Sequence, residues 1–353
     1  MKSTNRTAAP SMRAAVYRRF GGPETVHIEQ IAKPSPRRDE ILIKVQASTV
    51  SAADHRSRGR DVPRGLGALA ALSIGIFRPR KRILGMDVAG IVEAVGVDVT
   101  GFVPGDEVIA MLGARFGGHA EYVCVPQGGA IAAKPRNLGF EEAVTLVFGG
   151  ITARGFLNQV TVTAGSRVLV NGASGAVGTA AVQLAKQLGA HVTAVCSGTN
   201  SDLVTSLGAD RVIDYTLDDF TADRATYDVI VDCVGNAPFE RVEASLNPGG
   251  ALLLVISDLA GILRASRQSR VSGRLVSASV GKYRSEDLAH LVALAEAGRY
   301  RPVIDRVYAL SDVVEAHRHV DAGHKIGNVV LRIEAGAGSH AALARESATP
   351  SPV

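Results

Sequence analysis

Tryptophan is absent and cysteine nearly so: Cys124, Cys196 and Cys233 are the only thiols in 353 residues, and none stands in C-x-x-C spacing. A disulfide framework is thereby excluded, and each thiol, inside a strand-like apolar run, reads as a small buried hydrophobe in a reducing compartment. Long apolar runs are also missing. The most apolar stretch, LGALAALSIGIF at 66–77, lies between Arg64 and the basic residues Arg78, Arg80, Lys81 and Arg82, and is too short to span a bilayer. It is expected to form a lid or wall over a cleft, with an oligomer contact or a membrane-surface helix as alternatives. Charge of one sign is scarce: 39 basic residues face 34 acidic ones, and no basic run is interleaved with aromatics, which argues against a nucleic-acid partner. The first eleven residues lack the apolar core of a secretory signal, so a cytoplasmic location is expected.

What the chain does have is a strong local pattern at 167–197, RVLVNGASGAVGTAAVQLAKQLGAHVTAVCS. Val168 and Val170 lead into a glycine turn, and Val177, Ala181, Leu184 and Leu188 recur behind it at helical spacing. His191–Cys196 gives a second apolar strand. This is the strand, turn, helix and strand order of a dinucleotide-binding unit, in which Gly175 and Gly178 allow close backbone approach and the helix N-terminus faces phosphates. The six-residue turn reads A-S-G-A-V-G, with Ala173 where a first glycine is usual.

From 12 to about 135 the chain shows short strands broken by Gly and Pro, among them RAAVYRRF, EILIKVQAS, VAGIVEAVG, DEVIAM and HAEYVCVP, and a compact β-rich domain is expected there. Between 136 and 282 strands alternate with helices. Further strands at 211–215, 228–234, 251–256 and 274–280 bring the count to six, suiting a doubly wound parallel sheet of α/β class. A helix at 286–297 and a strand at 328–333 fit no further sheet unit, and the segment 283–334 is expected to return to the first domain. Residues 1–11 and 335–353 read as flexible tails.

The motifs GMDVAGIVEAVG (85–96), GDEV (105–108), GGITA (149–153), NGASGAVG (171–178), LGADRVIDY (207–215) and GHKIGNVVL (323–331) together resemble the medium-chain dehydrogenases/reductases, specifically their zinc-independent quinone-oxidoreductase-like branch. The resemblance covers about 12–333 and implies a GroES-like β domain, closed by the C-terminal end of the chain, clasping a Rossmann domain. It also implies a homodimer in which the edge strand at 274–280 pairs across a two-fold axis. Zinc-dependent relatives carry a cysteine where Ser51 stands and a histidine where Met86 stands, plus a four-cysteine lobe that this chain lacks, so no metal is expected. Asp87 is then expected to be a structural hydrogen-bonding group.

By the same resemblance the cofactor-binding set is Ala173, Ser174, Gly175, Ala176, Val177 and Gly178 at the pyrophosphate, with Val234, Gly235, Val255 and Ile256 lining the inner half. Thr152 and Asn328 belong to the nicotinamide side. The second strand ends in Cys196, Ser197, Gly198, Thr199 and Asn200 without a carboxylate. Nothing there repels a 2′-phosphate, Ser197 and Asn200 can donate to one, and Tyr215 matches a tyrosine that related reductases use for it. NADPH is therefore expected over NADH. Hydride transfer to a quinone or an α,β-unsaturated carbonyl leaves a delocalised charge that a weak donor can meet, and Ser51 is the candidate donor. The alternatives are an enoyl-thioester reductase and an NADPH-binding sensor without useful turnover. In each case the partner is a small molecule.

Overall fold

The computed structural model describes residues 10–61, 65, 67, 71, 74–222 and 225–333. The chain begins with strands β1 (Ser11–Tyr17), β2 (Val26–Ala32) and β3 (Glu40–Val50), helix α1 (Ala52–Gly59), and strands β4 (Asp87–Val95), β5 (Glu107–Met111), β6 (Tyr122–Pro126) and β7 (Ala130–Ala133). Helices α2 (Phe140–Val144) and α3 (Ile151–Leu157) lead into β8 (Arg167–Asn171), α4 (Ala176–Gln187), β9 (His191–Cys196), α5 (Ser201–Ser206) and β10 (Arg211–Asp214). There follow β11 (Tyr227–Asp232), α6 (Phe239–Val242), β12 (Leu246–Leu254), α7 (Leu259–Ser272) and β13 (Leu275–Ser277). Helix α8 (Ser285–Glu296), β14 (Ile304–Ala309), α9 (Val313–Asp321) and β15 (Asn328–Arg332) complete it.

Six strands form one parallel sheet in the order β10-β9-β8-β11-β12-β13, the doubly wound arrangement. Its central strand shows why. Val168, Leu169 and Val170 are all fully buried, because Val168 and Val170 enter one apolar cluster with Val192, Ala194, Val229 and Val231, while Leu169 enters another with Val195, Ile230 and Leu252. Side chains alternate between two covered faces, so a continuous apolar run is what such a strand requires. The second large sheet, β14-β15-β3-β4-β5-β7 with β6 also on β3, is mainly antiparallel and packs Ile41, Ile43, Val88, Val108, Val329 and Leu331 into the core of the GroES-like domain. The last strand of the chain, β15, runs antiparallel to β3 from the other end of the sequence.

The architecture is thus the expected α/β pair of a β-rich domain and a Rossmann-like domain, with differences in detail. Strands β2, β7 and β14 have no counterpart in the sequence reading. β2 has the burial pattern of an exposed ribbon, β7 is four residues long, and β14 has no fully buried residue, so none carries a strong apolar alternation. The strand expected at 228–234 ends at Asp232, whose carboxylate turns the chain; that expected at 251–256 runs from Leu246 to Leu254; and that expected at 274–280 is three residues long. All three thiols are free, but only Cys196 is buried, whereas Cys124 and Cys233 are half-exposed. Most of the 66–77 stretch and both expected tails beyond 10 and 333 lie outside the described residues. The described end of that stretch, Ile76 and Phe77, stands out in solvent. Among the described residues no helix is long and apolar enough to cross a membrane.

Candidate active site

β8 ends at Asn171, and the chain turns at Gly172, whose φ of +77° only glycine adopts without strain. This residue, one before Ala173, supplies the tight turn for which the A-S-G-A-V-G reading had no glycine. Six residues on, a Cβ at Gly178 would lie 2.1 Å from the Gly172 carbonyl oxygen, so α4 can lie on the turn only without a side chain there. Gly175 is different. It is the N-cap of α4 in an extended conformation (φ −79°, ψ 175°), with no side chain capping the helix, and an added Cβ would meet nothing closer than 3.6 Å. The protein does not need glycine at 175. A ligand lying across the free first-turn N–H groups does, and a pyrophosphate fits that cradle.

The turn opens into a cavity of about 990 Å³ walled by both domains. On its walls stand Ser51, Thr152, Ser174, Gly175, Ala176, Val177, Gly178, Tyr215, Val234, Val255, Ile256 and Asn328. Ala173 is fully buried beneath the turn instead, and Gly235 (φ +89°) packs behind Ile256. Ser197 and Asn200 are off this wall and bond within their own loop, Asn200 Nδ2 donating to Ser197 Oγ at 3.1 Å and Ser197 Oγ lying 2.9 Å from Thr199 Oγ1. The nearby Asp214 carboxylate is held below its ordinary pKa by the Thr216 hydroxyl and amide, and by the Gly198 N–H.

The loop after β11 is fixed by Asp232, which is fully buried and accepts from the N–H groups of Val234 (3.0 Å), Gly235 (3.1 Å) and Ala237 (3.0 Å) and from Asn171 Nδ2 (2.9 Å). Across the turn, Gly327 N–H donates to the Ser174 carbonyl at 2.8 Å, and Gly175 and Gly327 form a parallel bridge. Asn328 is anchored through its own N–H and Nδ2 to the Val303 carbonyl. The same segment puts Lys325 on the cavity wall, its Nζ donating to the Gly327 carbonyl at 2.6 Å. Burial lowers the Lys325 pKa to about 8, against the opposing pull of Asp305.

On the first-domain wall the Ser51 hydroxyl is committed. It donates to Asp54 Oδ2 at 2.6 Å and accepts from the Asp54 N–H, closing a capping box on α1. This is a structural use of the side chain. Thr152 Oγ1, by contrast, is buried without a hydrogen-bond partner among the described residues. It follows a π-helical segment, Leu146–Gly150, of a kind often found at functional sites. Its neighbour in the cavity is Tyr283, whose phenol burial holds above its ordinary pKa, with the Thr152 hydroxyl pulling weakly the other way. Sequence reasoning missed Tyr283, Lys325 and Arg56, all on the wall. No motif marked them, and only the fold brings them to one cleft.

Met86 lines the same wall as Ser51. Asp87, fully buried, accepts from Thr49 N–H at 2.8 Å and Thr49 Oγ1 at 2.7 Å, and burial raises its pKa to about 7. Among the described residues no three His, Cys, Asp or Glu side chains converge in a way that could hold a metal ion.

Two family models match the chain: an alcohol dehydrogenase GroES-like domain over residues 37–136 and a zinc-binding dehydrogenase domain over 207–331. The chain is 33% identical over 340 residues to a chloroplastic quinone-oxidoreductase of Triphysaria versicolor, covering 92% of this chain and 99% of that one. It is 33% identical over 341 residues to a 2-methylene-furan-3-one reductase of Solanum lycopersicum, covering 93% and 81%. The solved quinone oxidoreductase from Coxiella burnetii superposes with a TM-score of 0.81 at 29% identity, over 92% of this chain and all (100%) of that one.

Proposed function

The chain belongs to the quinone-oxidoreductase-like branch of the medium-chain dehydrogenases/reductases, and from that premise we propose that it is an NADPH-dependent, zinc-independent reductase of quinones or α,β-unsaturated carbonyls. The observation that carries this reading is the Gly172–Gly178 turn opening, at a glycine the protein itself does not need, into a two-domain cavity walled by Ser51 and Met86. Although one matching model is described as zinc-binding, neither a hydroxyl nor a thioether at those positions substitutes for thiolate or imidazole. NADPH is supported by the absence of a carboxylate at the end of β9 and by Tyr215 on the wall.

Bound in the cleft, the reduced nicotinamide supplies a hydride. The chain's own residues position the acceptor and exclude water, with Val255, Ile256, Val234 and Met86 as the apolar lining. Hydride addition to the β-carbon of an enone moves electrons onto its carbonyl oxygen, where a proton donor is needed. We assign that role to Tyr283 in place of Ser51: its raised pKa keeps the phenol protonated at neutral pH. Tyr283→Phe is expected to lower kcat for enones by about 10²-fold, and less for quinones, whose phenolate product is more stable. Stopped-flow traces with both acceptor types check this, and an equal loss on both would assign Tyr283 to packing.

Lys325 is proposed to meet the pyrophosphate. A bound anion favours the ammonium, which in the free protein is half-lost at about pH 8. The NADPH Kd is therefore expected to be flat at lower pH and to rise as pH climbs through that value, by up to about tenfold per unit. Lys325→Met should weaken binding and flatten this profile, as read by titration of cofactor fluorescence.

The reading as a whole is tested by anaerobic NADPH and NADH oxidation by chelator-treated protein against quinones, enones, thioesters and simple aldehydes. Turnover confined to aldehydes, or lost on chelation, would overturn it. We further propose a cytoplasmic homodimer paired through β13 at the sheet edge, supported by the half-exposed Leu275 on that strand. Light scattering should give twice the 36.8 kDa chain mass.

A further inference from the structure

Helix α1 carries three arginines with different fates. Arg58 is almost fully buried and donates to the Gly21 carbonyl and to both oxygens of Asp321. Arg60 donates to the Ile76 carbonyl and lies over the Phe20 ring. Arg56 has no hydrogen bond or ion pair among the described residues, and the charge acting on it is that of the exposed Asp61. It stands on the cleft wall with Ala52 and Ala53, on one helical face, while Asp54, Ser57 and Arg58 form the opposite, buried face. The other cations of the wall are engaged, Arg241 with Asp219 at 3.0 Å and Lys325 with the Gly327 carbonyl.

We propose that Arg56 is a specificity-determining residue that binds an oxyanion, carboxylate or phosphate, carried by the electrophile reduced in this cleft. The inference rests on the reductase reading above and names its substrate class. A half-buried cation without a partner has lost water and gained nothing in return, a cost that an anionic ligand removes. A guanidinium fork matches carboxylate and phosphate in two-point geometry, and its placement on the Ser51 wall of the first domain puts it on the acceptor's side of the cleft.

The test compares two pairs of acceptors that differ chiefly in charge: acetylacrylate with its methyl ester, and crotonyl-CoA with crotonyl-pantetheine. The wild type should favour the anionic member of one pair by about tenfold or more in kcat/KM, and that pair identifies the anion as carboxylate or phosphate. Arg56→Gln should bring the ratio close to unity, and Arg56→Lys should restore part of it. A wild-type ratio near unity in both pairs, or one unchanged by Arg56→Gln, overturns the proposal. So does a comparable loss of NADPH affinity in Arg56→Gln, which would assign the residue to the cofactor. Calorimetric binding of levulinate and of CoA to the NADPH complex separates the two readings. If no acceptor turns over, the reductase reading fails, yet anion binding that depends on Arg56 still upholds this inference and its absence overturns it.

Discussion

Gly175→Val is expected to raise the NADPH Kd at least about a hundredfold, close to 3 kcal/mol, while the melting temperature moves by only a few degrees. The backbone at 175 is extended and the new side chain meets no protein atom nearer than 3.6 Å at its Cβ, so it occupies the space proposed for the pyrophosphate. Its neighbour provides the contrast. Gly178→Val drives a Cβ to within 2.1 Å of the Gly172 carbonyl and 2.8 Å of Ala173 Cα, both backbone atoms that cannot swing aside, and is expected to destabilise the fold by about 3 kcal/mol or more. Thermal unfolding with cofactor titration on both variants tests the pair. NADPH binding by Gly175→Val within a few-fold of wild type would remove the turn from the cofactor site.

Asp232→Ala is expected to show the largest loss of stability, on the order of 4 kcal/mol. Its carboxylate accepts from three backbone N–H groups and one side-chain amide in a fully buried setting, and truncation orphans all four donors. Asn171 would keep its contact with Asn236 Oδ1 at 2.7 Å, which limits the damage on that side. Asp232→Asn preserves the shape and one acceptor oxygen and should recover a substantial part of the loss. Chemical denaturation measures both, and a loss for Asp232→Ala of under about 1 kcal/mol would mean that water satisfies those amides.

The parallel sheet was legible because its strands are covered on both faces and each reads as an unbroken apolar run, as Val168 to Val170 illustrate. The strands that escaped notice, β2, β7 and β14, are short or half-exposed and leave little pattern. Strand ends were misjudged where an acidic side chain turns the chain: Asp232 and its loop look as apolar as the strand they terminate. The glycine turn was legible, but the residue with the left-handed φ is Gly172, because conformation and motif position need not coincide. Ser51 was the natural donor candidate from its place in the motif, and its capping box with Asp54 could be read from the S-x-x-D spacing alone. Tyr283, Lys325 and Arg56 come from three remote segments, and their meeting on one wall follows only from packing.

The pairing of β15 with β3 bears on how the protein is made. A ribosome releases β3 long before residues 328–332, so the first sheet waits, with one edge of its longest strand uncovered, through the synthesis of the entire parallel domain. The Rossmann-like domain, whose strands are contiguous from Arg167 to Ser277, can close while the chain is still attached. The N-terminal half is then the late-maturing part of the molecule, the interval in which its open edge is exposed to other nascent chains and to chaperones.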